Sequence, residues 1–235
     1  MEKRVVRDFY PFFIALLLAT VTAVIYSVTT EKIRALSYFQ LFGSALVPAI
    51  PVLFGLITKK RLPVAISYML AAHVAFSIYM GTVLRFYDRV DSWDMIAHGV
   101  FGFVGCTIAS AFMIRWNGGN MHVAGFLLIA ALVTMGAGAV WEIFEYCCDT
   151  FLGMDTQCVQ KAIAEGKSPV SDTMEDMIIT LAGITAFVVT FVVDRFNGEH
   201  IAKAFFGNTD RLDAKPFIAP PAPDGEIEKN DCPKQ

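Results

Sequence analysis

Charge is scarce in this chain. Asp, Glu, Lys and Arg make up 17% of its 235 residues, against about a quarter in an ordinary soluble domain. The charges nearly cancel, at a net −3, so there is no basic footprint for nucleic acid. Five cysteines exclude a disulfide-stapled mini-protein. Several enzyme signatures are missing as well. There is no H-E-x-x-H metalloprotease helix, no G-x-S-x-G nucleophile elbow, no Gly-rich phosphate loop and no c-type haem motif. Four histidines are too few for a histidine-box desaturase. The D-x-x-D of Asp91–Asp94 lacks the Gly, Ala and Arg of a CDP-alcohol phosphotransferase. What is present is apolar: 55% of residues, with a mean hydropathy of +0.53. These residues gather in long uncharged runs, which excludes disorder for the bulk of the chain and points to a polytopic membrane protein.

A spanning helix needs about 20 apolar residues, and lipid offers no partner for a bare backbone, so each span is helical. Six runs qualify: about Tyr10–Val28, Tyr38–Thr58, Leu62–Leu84, Met95–Ile114, Met121–Phe144 and Met177–Val193. The fold class is all-α, a membrane helical bundle of about six spans over residues 1–196. Residues 197–235 follow as a largely disordered cytoplasmic tail, because Lys215–Gln235 is rich in Pro and charge and has little to bury. The first run exceeds the usual signal-peptide core of about 7–15 residues and reads as a retained span. Pro48 and Pro51 predict a kink in the second. Gly99, Gly102 and Gly105 in the fourth allow a neighbouring helix to approach closely. Thirteen of the 19 Lys and Arg fall on one side of the membrane when the N-terminus is inside. That bias predicts cytoplasmic termini in the bacterial plasma (inner) membrane.

With this topology three acidic segments meet at the outer face: Arg85–Gly99, Trp141–Gln157 and Asp172–Met177. Asp91, Asp94 and His98 share one helical face at i, i+3, i+7; Glu142, Glu145 and Asp149 repeat the spacing; Asp172 and Asp176 are i, i+4. Carboxylates plus one imidazole suit Mg, Mn, Ca, Fe or Zn as the dication. The candidate metal ligands are Asp94, His98, Glu142, Glu145, Asp172 and Asp176, supported by Asp88, Arg89, Asp91 and Asp149. So many acids need a cation, basic partners such as Arg85 and Arg89, or protons. Asp172 with Glu175 also reads as a capping box, and Asp91 with Asp94 opens the fourth span in the same way. Capping does not account for the fifth span: at a helix C-terminus each acid costs about 0.3–1 kcal/mol.

His73, mid-span, reads as an interhelical hydrogen bond. Trp93, Trp141, Tyr38 and Tyr87 read as an interfacial aromatic belt. Cys158 is able to pair with Cys147 or Cys148 in an oxidising compartment, and a short helix near Val159–Glu165 is expected over the outer surface.

The pattern Y-D-R-x-D-x-x-D-x-x-x-H-x-x-x-G, then W-E-x-x-E, then D-T-x-x-D-M resembles a YjdF-like family of bacterial inner-membrane proteins and, more loosely, VanZ-type proteins. The matching residues include Tyr87, Asp88, Arg89, Asp94, His98, Gly102, Trp141, Glu142, Glu145, Gln157, Asp172, Thr173, Asp176 and Gly183. The resemblance covers about Leu84–Ala186. It implies a multi-pass plasma-membrane protein and brings no reaction.

Three functions fit these residues. The first is a metal-dependent enzyme acting on a lipid or lipid-linked head group. The second is a transporter or ion-coupled carrier with the acids at its outer mouth. The third is a non-catalytic component with a structural metal or a partner-docking site.

Overall fold

A computed structural model describes residues 8–28, 41–60, 62–117 and 121–206, together with 209 and 212. Every regular element among these is helical. The first three residues of the second expected span, the basic residues Lys3, Arg4, Arg7, Lys32, Arg34 and Arg61, Tyr38 and the stretch Lys215–Gln235 lie outside the described residues.

Helix α1 covers Tyr10–Val28. Span α2, Leu41–Thr58, carries the expected break. A tight turn at Val47–Ala49 interrupts it, with Ala49 N–H bonded to Leu46 O at i, i+3. Pro48 and Pro51 lack the N–H that a regular turn needs, and their rings press on the carbonyls one turn back. Helix α3, Val64–Val74, widens into a π-helical stretch over Ala75–Val83, where Leu84 N–H reaches back five residues to Tyr79 O. Arg85, at φ +60°, turns the chain into the short helix α4, Phe86–Arg89. Then come α5, Trp93–Asn117; α6, Val123–Leu152; α7, Val159–Ala164; α8, Ser171–Phe196; and α9, His200–Phe206.

Among the described residues five helices are long and apolar enough to cross a membrane, and Tyr10–Ile25 is a shorter apolar helix. The expected six spans thus become five full ones and one short one. Their outward faces are apolar: Leu132, Val140, Ile143, Ile178, Leu181 and Val189 are all exposed, as lipid requires. The bundle also continues beyond residue 196. Ala202 and Phe206 of α9, and Leu212, are buried in the main core with Phe126, Phe187 and Phe191, so the boundary expected at 197 falls inside the packed structure.

Helices α5, α6 and α8 form the centre. On α6, Phe126, Ala130, Thr134, Gly138, Glu142 and Glu145 make one buried stripe. On α8 the stripe is Asp176, Thr180, Gly183, Ile184, Phe187 and Phe191. Where α5 meets α8 the backbones touch. A methyl on Gly102 would collide with Thr180 O, and one on Gly183 with Gly99 O. Two helices normally lie about 8–10 Å apart, so only glycine permits this approach. Gly105 makes the corresponding space for Thr134 of α6. The glycine spacing read in the sequence thus serves two different neighbours.

Candidate metal centre

The three central helices bring their acids together at one end. Helix α5 starts there, and Asp94 and His98 are its second and sixth residues. Helix α8 also starts there, and Asp176 is its sixth residue. At 1.5 Å per residue, His98 and Asp176 each lie about 7–8 Å inside their helix starts. Helix α6 arrives from the other side. It has 30 residues, so it is about 45 Å long against a hydrocarbon thickness of about 30 Å. Counted from Val123, Glu142 falls about 28 Å along, near the far boundary.

The α6 ending changes the electrostatic argument. Glu142 and Glu145 stand two to three turns before the last helical residue, Leu152, beyond the reach of terminal dipole repulsion. Their cost comes from burial. Asp149 alone sits in the last turn, and the structure explains it without a cation. Its Oδ1 accepts from Thr156 N–H and Oγ1–H, both at 2.6 Å, and its Oδ2 from Gln157 N–H at 3.0 Å. Asp149 therefore fastens the 153–158 segment back onto the bundle. Gln157 extends the closure by donating to Thr173 Oγ1 (2.9 Å) and, weakly, to Glu142 O (3.5 Å).

At the centre, His98 Nε2 is 3.7 Å from Asp94 Oδ1, 3.8 Å from Glu142 Oε1 and 3.8 Å from Asp176 Oδ2. All three distances exceed hydrogen-bond length. Two ligands about 2.1 Å from one ion are separated by about 3.0 Å at a right angle and about 3.5 Å at the tetrahedral angle. The observed spacings lie a few tenths of an ångström beyond that. Asp94, His98 and Asp176 form a metal-capable group with ligand atoms all within 4.8 Å of one another. His98, Glu142, Glu145 and Asp176 are 8%, 5%, 8% and 2% exposed. Both carboxylate oxygens of Glu142, Oε2 of Glu145, Oδ2 of Asp172 and Oδ2 of Asp176 are buried without a hydrogen-bond partner. An unpaired buried carboxylate costs several kcal/mol.

The other expected ligands stand further out. Glu145 joins through Trp141, whose Nε1–H donates to Glu145 Oε1 at 2.9 Å. Asp172 is in the first turn of α8, and Val170 rather than Asp172 is the N-cap, with no side-chain cap bond; the expected capping box does not form. The Asp172 carboxylate has the Lys161 charge and the Cys158 thiol in its neighbourhood. Asp91 precedes α5 and is exposed, so the i, i+3, i+7 face reduces to Asp94 and His98. Asp88 and Arg89 are exposed. Asp88 accepts from Arg85 Nε at 2.7 Å in a surface ion pair.

Two aromatic or imidazole expectations change. Trp93 is 8% exposed, stacked between Phe76 (4.5 Å) and Phe86 (4.7 Å), and belongs to the core instead of the belt. His73 lies against the Phe101 ring at 5.7 Å, and its Nδ1 has no hydrogen-bond partner. Tyr87 is 38% exposed, as a belt residue would be, but its phenol also stands near the acids, which sequence reasoning missed. Its ring rests on Gly81, where a methyl would collide with it. Burial of the phenol, with the charges of Asp94, Glu145 and Asp176, pushes its hydroxyl above the ordinary tyrosine range. It is thus a neutral donor beside the acids. The Y-D-R motif carried that signal, but nothing in it tells a belt tyrosine from an inward one. Cys106, Cys147, Cys148 and Cys158 are free thiols. Burial and the nearby Asp172, Asp94 and Asp155 push Cys158 up to about 12.

Comparison with known proteins agrees with this architecture. The model of a family described as predicted membrane protein (DUF2238) matches residues 12–197. The chain belongs to this DUF2238 family. The match takes in the first three spans as well as the acidic segments, so the family extends well beyond the Leu84–Ala186 stretch that carried the resemblance. An uncharacterised protein of Thermotoga maritima is 28% identical over 161 residues, which is 68% of this chain and 78% of its own length. No solved structure matches.

Proposed function

We propose that this end of the bundle binds a divalent cation and uses it on a lipid or lipid-linked head group at the outer face of the bacterial inner membrane. The observation that carries the reading is the convergence of Asp94, Glu142 and Asp176 on His98 Nε2 at 3.7–3.8 Å, with both oxygens of Glu142 and Oδ2 of Asp176 buried and unpaired. Three hard oxygens and one imidazole favour Mn, Fe or Zn over Ca or Mg. Asp94, His98, Glu142 and Asp176 would hold the ion, which supplies Lewis-acid activation of a head-group oxygen. The Tyr87 hydroxyl, kept protonated beside the acids, is placed to donate a hydrogen bond to a bound head group.

The outer-face assignment rests on the Lys and Arg bias of the loops. The lipid assignment rests on depth: His98 and Asp176 lie about 7–8 Å inside their helix starts, where head groups meet acyl chains. A carrier needs ligands that continue inward. Below the site, of Thr107, Ser110 and Thr134, the two threonines donate to carbonyls of their own helices, Phe103 O at 3.0 Å and Ala130 O at 2.9 Å, and the Ser110 hydroxyl alone is buried without a partner. One hydroxyl makes no chain of ligands, which supports a terminal site over a path.

Elemental analysis of the protein purified in detergent tests this. Wild type should retain a transition dication, while Glu142→Gln and Asp94→Asn should lose it with helical content unchanged. Equal metal in all three removes the reading. Mass spectrometry of phospholipid vesicles incubated with the protein, with and without chelator, should show a chelator-sensitive change in a head group.

A further inference from the structure

We infer that the site takes two divalent cations, with the Glu142 carboxylate bridging them: one ion at His98, Asp94 and Asp176, the other between Glu142 and Glu145. This rests on the metal-site reading above and adds its nuclearity.

Two observations carry it. The first is the supply of unpaired oxygens. An ion at His98 uses Glu142 Oε1, 3.8 Å from Nε2, and leaves Oε2 of the same carboxylate buried and without a partner. Glu145 lies one turn further along the same buried stripe of α6. Its Oε1 is held by Trp141, and its Oε2 is again buried and unpaired. Two adjacent side chains, each more than nine-tenths buried, thus present oxygens that one ion at His98 does not satisfy.

The second observation is charge. Asp94, Glu142, Glu145 and Asp176 lie close enough to feel one another's charge. Apart from the His98 imidazole, no basic side chain is paired with any of the four among the described ion pairs. The Lys161 charge is felt by Asp172, and Arg85 holds Asp88. With all four ionised, one dication leaves two negative charges in a buried volume, whereas two dications leave none. Carboxylate-bridged pairs about 3.5–4 Å apart clamp both the attacking and the leaving oxygen in displacements at phosphorus. The substrate class this implies is a phosphate ester or diphosphate carried by a lipid.

The test needs no variant in its first arm. Wild-type protein in detergent is stripped with chelator and reloaded with Mn²⁺. Elemental analysis should give two Mn per chain, and the frozen sample should show the paramagnetic resonance spectrum of an exchange-coupled pair. Glu145→Gln, which leaves the His98 group intact, should drop the count from two to one and give the six-line spectrum of isolated Mn²⁺. One Mn per wild-type chain with a six-line spectrum overturns the two-ion inference while the metal-site reading stands. No bound Mn overturns both. Two Mn in Glu145→Gln, still coupled, also overturns the inference as assigned.

Discussion

The two ends of this bundle bury acids in opposite ways. At the α8–α9 end, Asp194 is 6% exposed, yet both its oxygens are used, accepting from Ile201 N–H at 3.0 Å and Ala202 N–H at 2.8 Å. Glu199 beside it receives Arg195 Nη1 at 2.8 Å and Thr209 Oγ1 at 2.6 Å, with Lys203 at 3.6 Å. At the α5–α6–α8 end, Glu142 and Asp176 are as deeply buried, but both oxygens of Glu142 and Oδ2 of Asp176 have no hydrogen-bond partner. Burial of a carboxylate therefore does not by itself mark a site. A satisfied carboxylate is a staple; an unsatisfied one among three others waits for a counter-charge.

The largest expected effect separates the ends directly. Glu142→Gln should weaken divalent-cation binding on the order of 100-fold or more, beyond the 10–100-fold typical of residues that merely orient ligands. In chelator the same variant should be at least as stable as wild type, since an uncompensated buried charge is gone. Asp194→Asn should do the reverse. It should leave cation binding unchanged and cost about 1–3 kcal/mol, because the amide NH2 replaces one of the two accepting oxygens and faces a backbone N–H. Titration calorimetry and thermal unfolding in detergent read both. Equal loss of metal in the two variants would erase the distinction between the ends.

Next comes Gly183→Ala. The added methyl meets the Gly99 carbonyl, and backbone cannot rotate away as a side chain can. Parting α5 from α8 should cost about 1–3 kcal/mol or more. It should also weaken cation binding, because Asp176 lies two turns away on the same helix. Unchanged affinity in a destabilised variant would show that the site does not depend on this contact.

A smaller effect is expected from Trp141→Phe. It removes the donor to Glu145 Oε1, and Trp141 is 37% exposed, so the loss should be about 1 kcal/mol, or about five-fold in affinity. The effect furthest from the ion ligands is kinetic. With Cys158 pushed up to about 12, its thiolate fraction at pH 8 is about one in ten thousand, against about one in four for a free cysteine. The raised value keeps the thiol protonated throughout the neutral range. Alkylation followed by peptide mass spectrometry should be correspondingly slow. It should speed up when a divalent cation offsets the charges of Asp172 and Asp94, while the contribution of burial remains. No response to cation loading would argue against a counter-charge at this end.

Much of this was readable in the residues, for identifiable reasons. The proline break in α2, the close glycine contact of α5 and the short helix at Val159–Ala164 follow from local chemistry. So does the convergence of Asp94, His98, Glu142 and Asp176, which needed only alternating helix directions and helical spacing. The failures share a cause too. Asp91 and Asp149 have the right spacing, yet Asp149 holds a returning loop and Asp91 is exposed. Trp93 turns inward between Phe76 and Phe86, and the Tyr87 ring lies against Gly81; neither contact is visible as a pattern.

Composition alone determined that the chain is a helical membrane protein, since about 20 uncharged residues in a row have no other stable state in lipid. Spacing alone determined which acids share a helix face. Only the tertiary structure decided which of those acids find donors and which stand unpaired around His98. That depends on which backbone N–H groups and which side chains return from distant parts of the chain, and hydrogen bonding is satisfied in space, not in order.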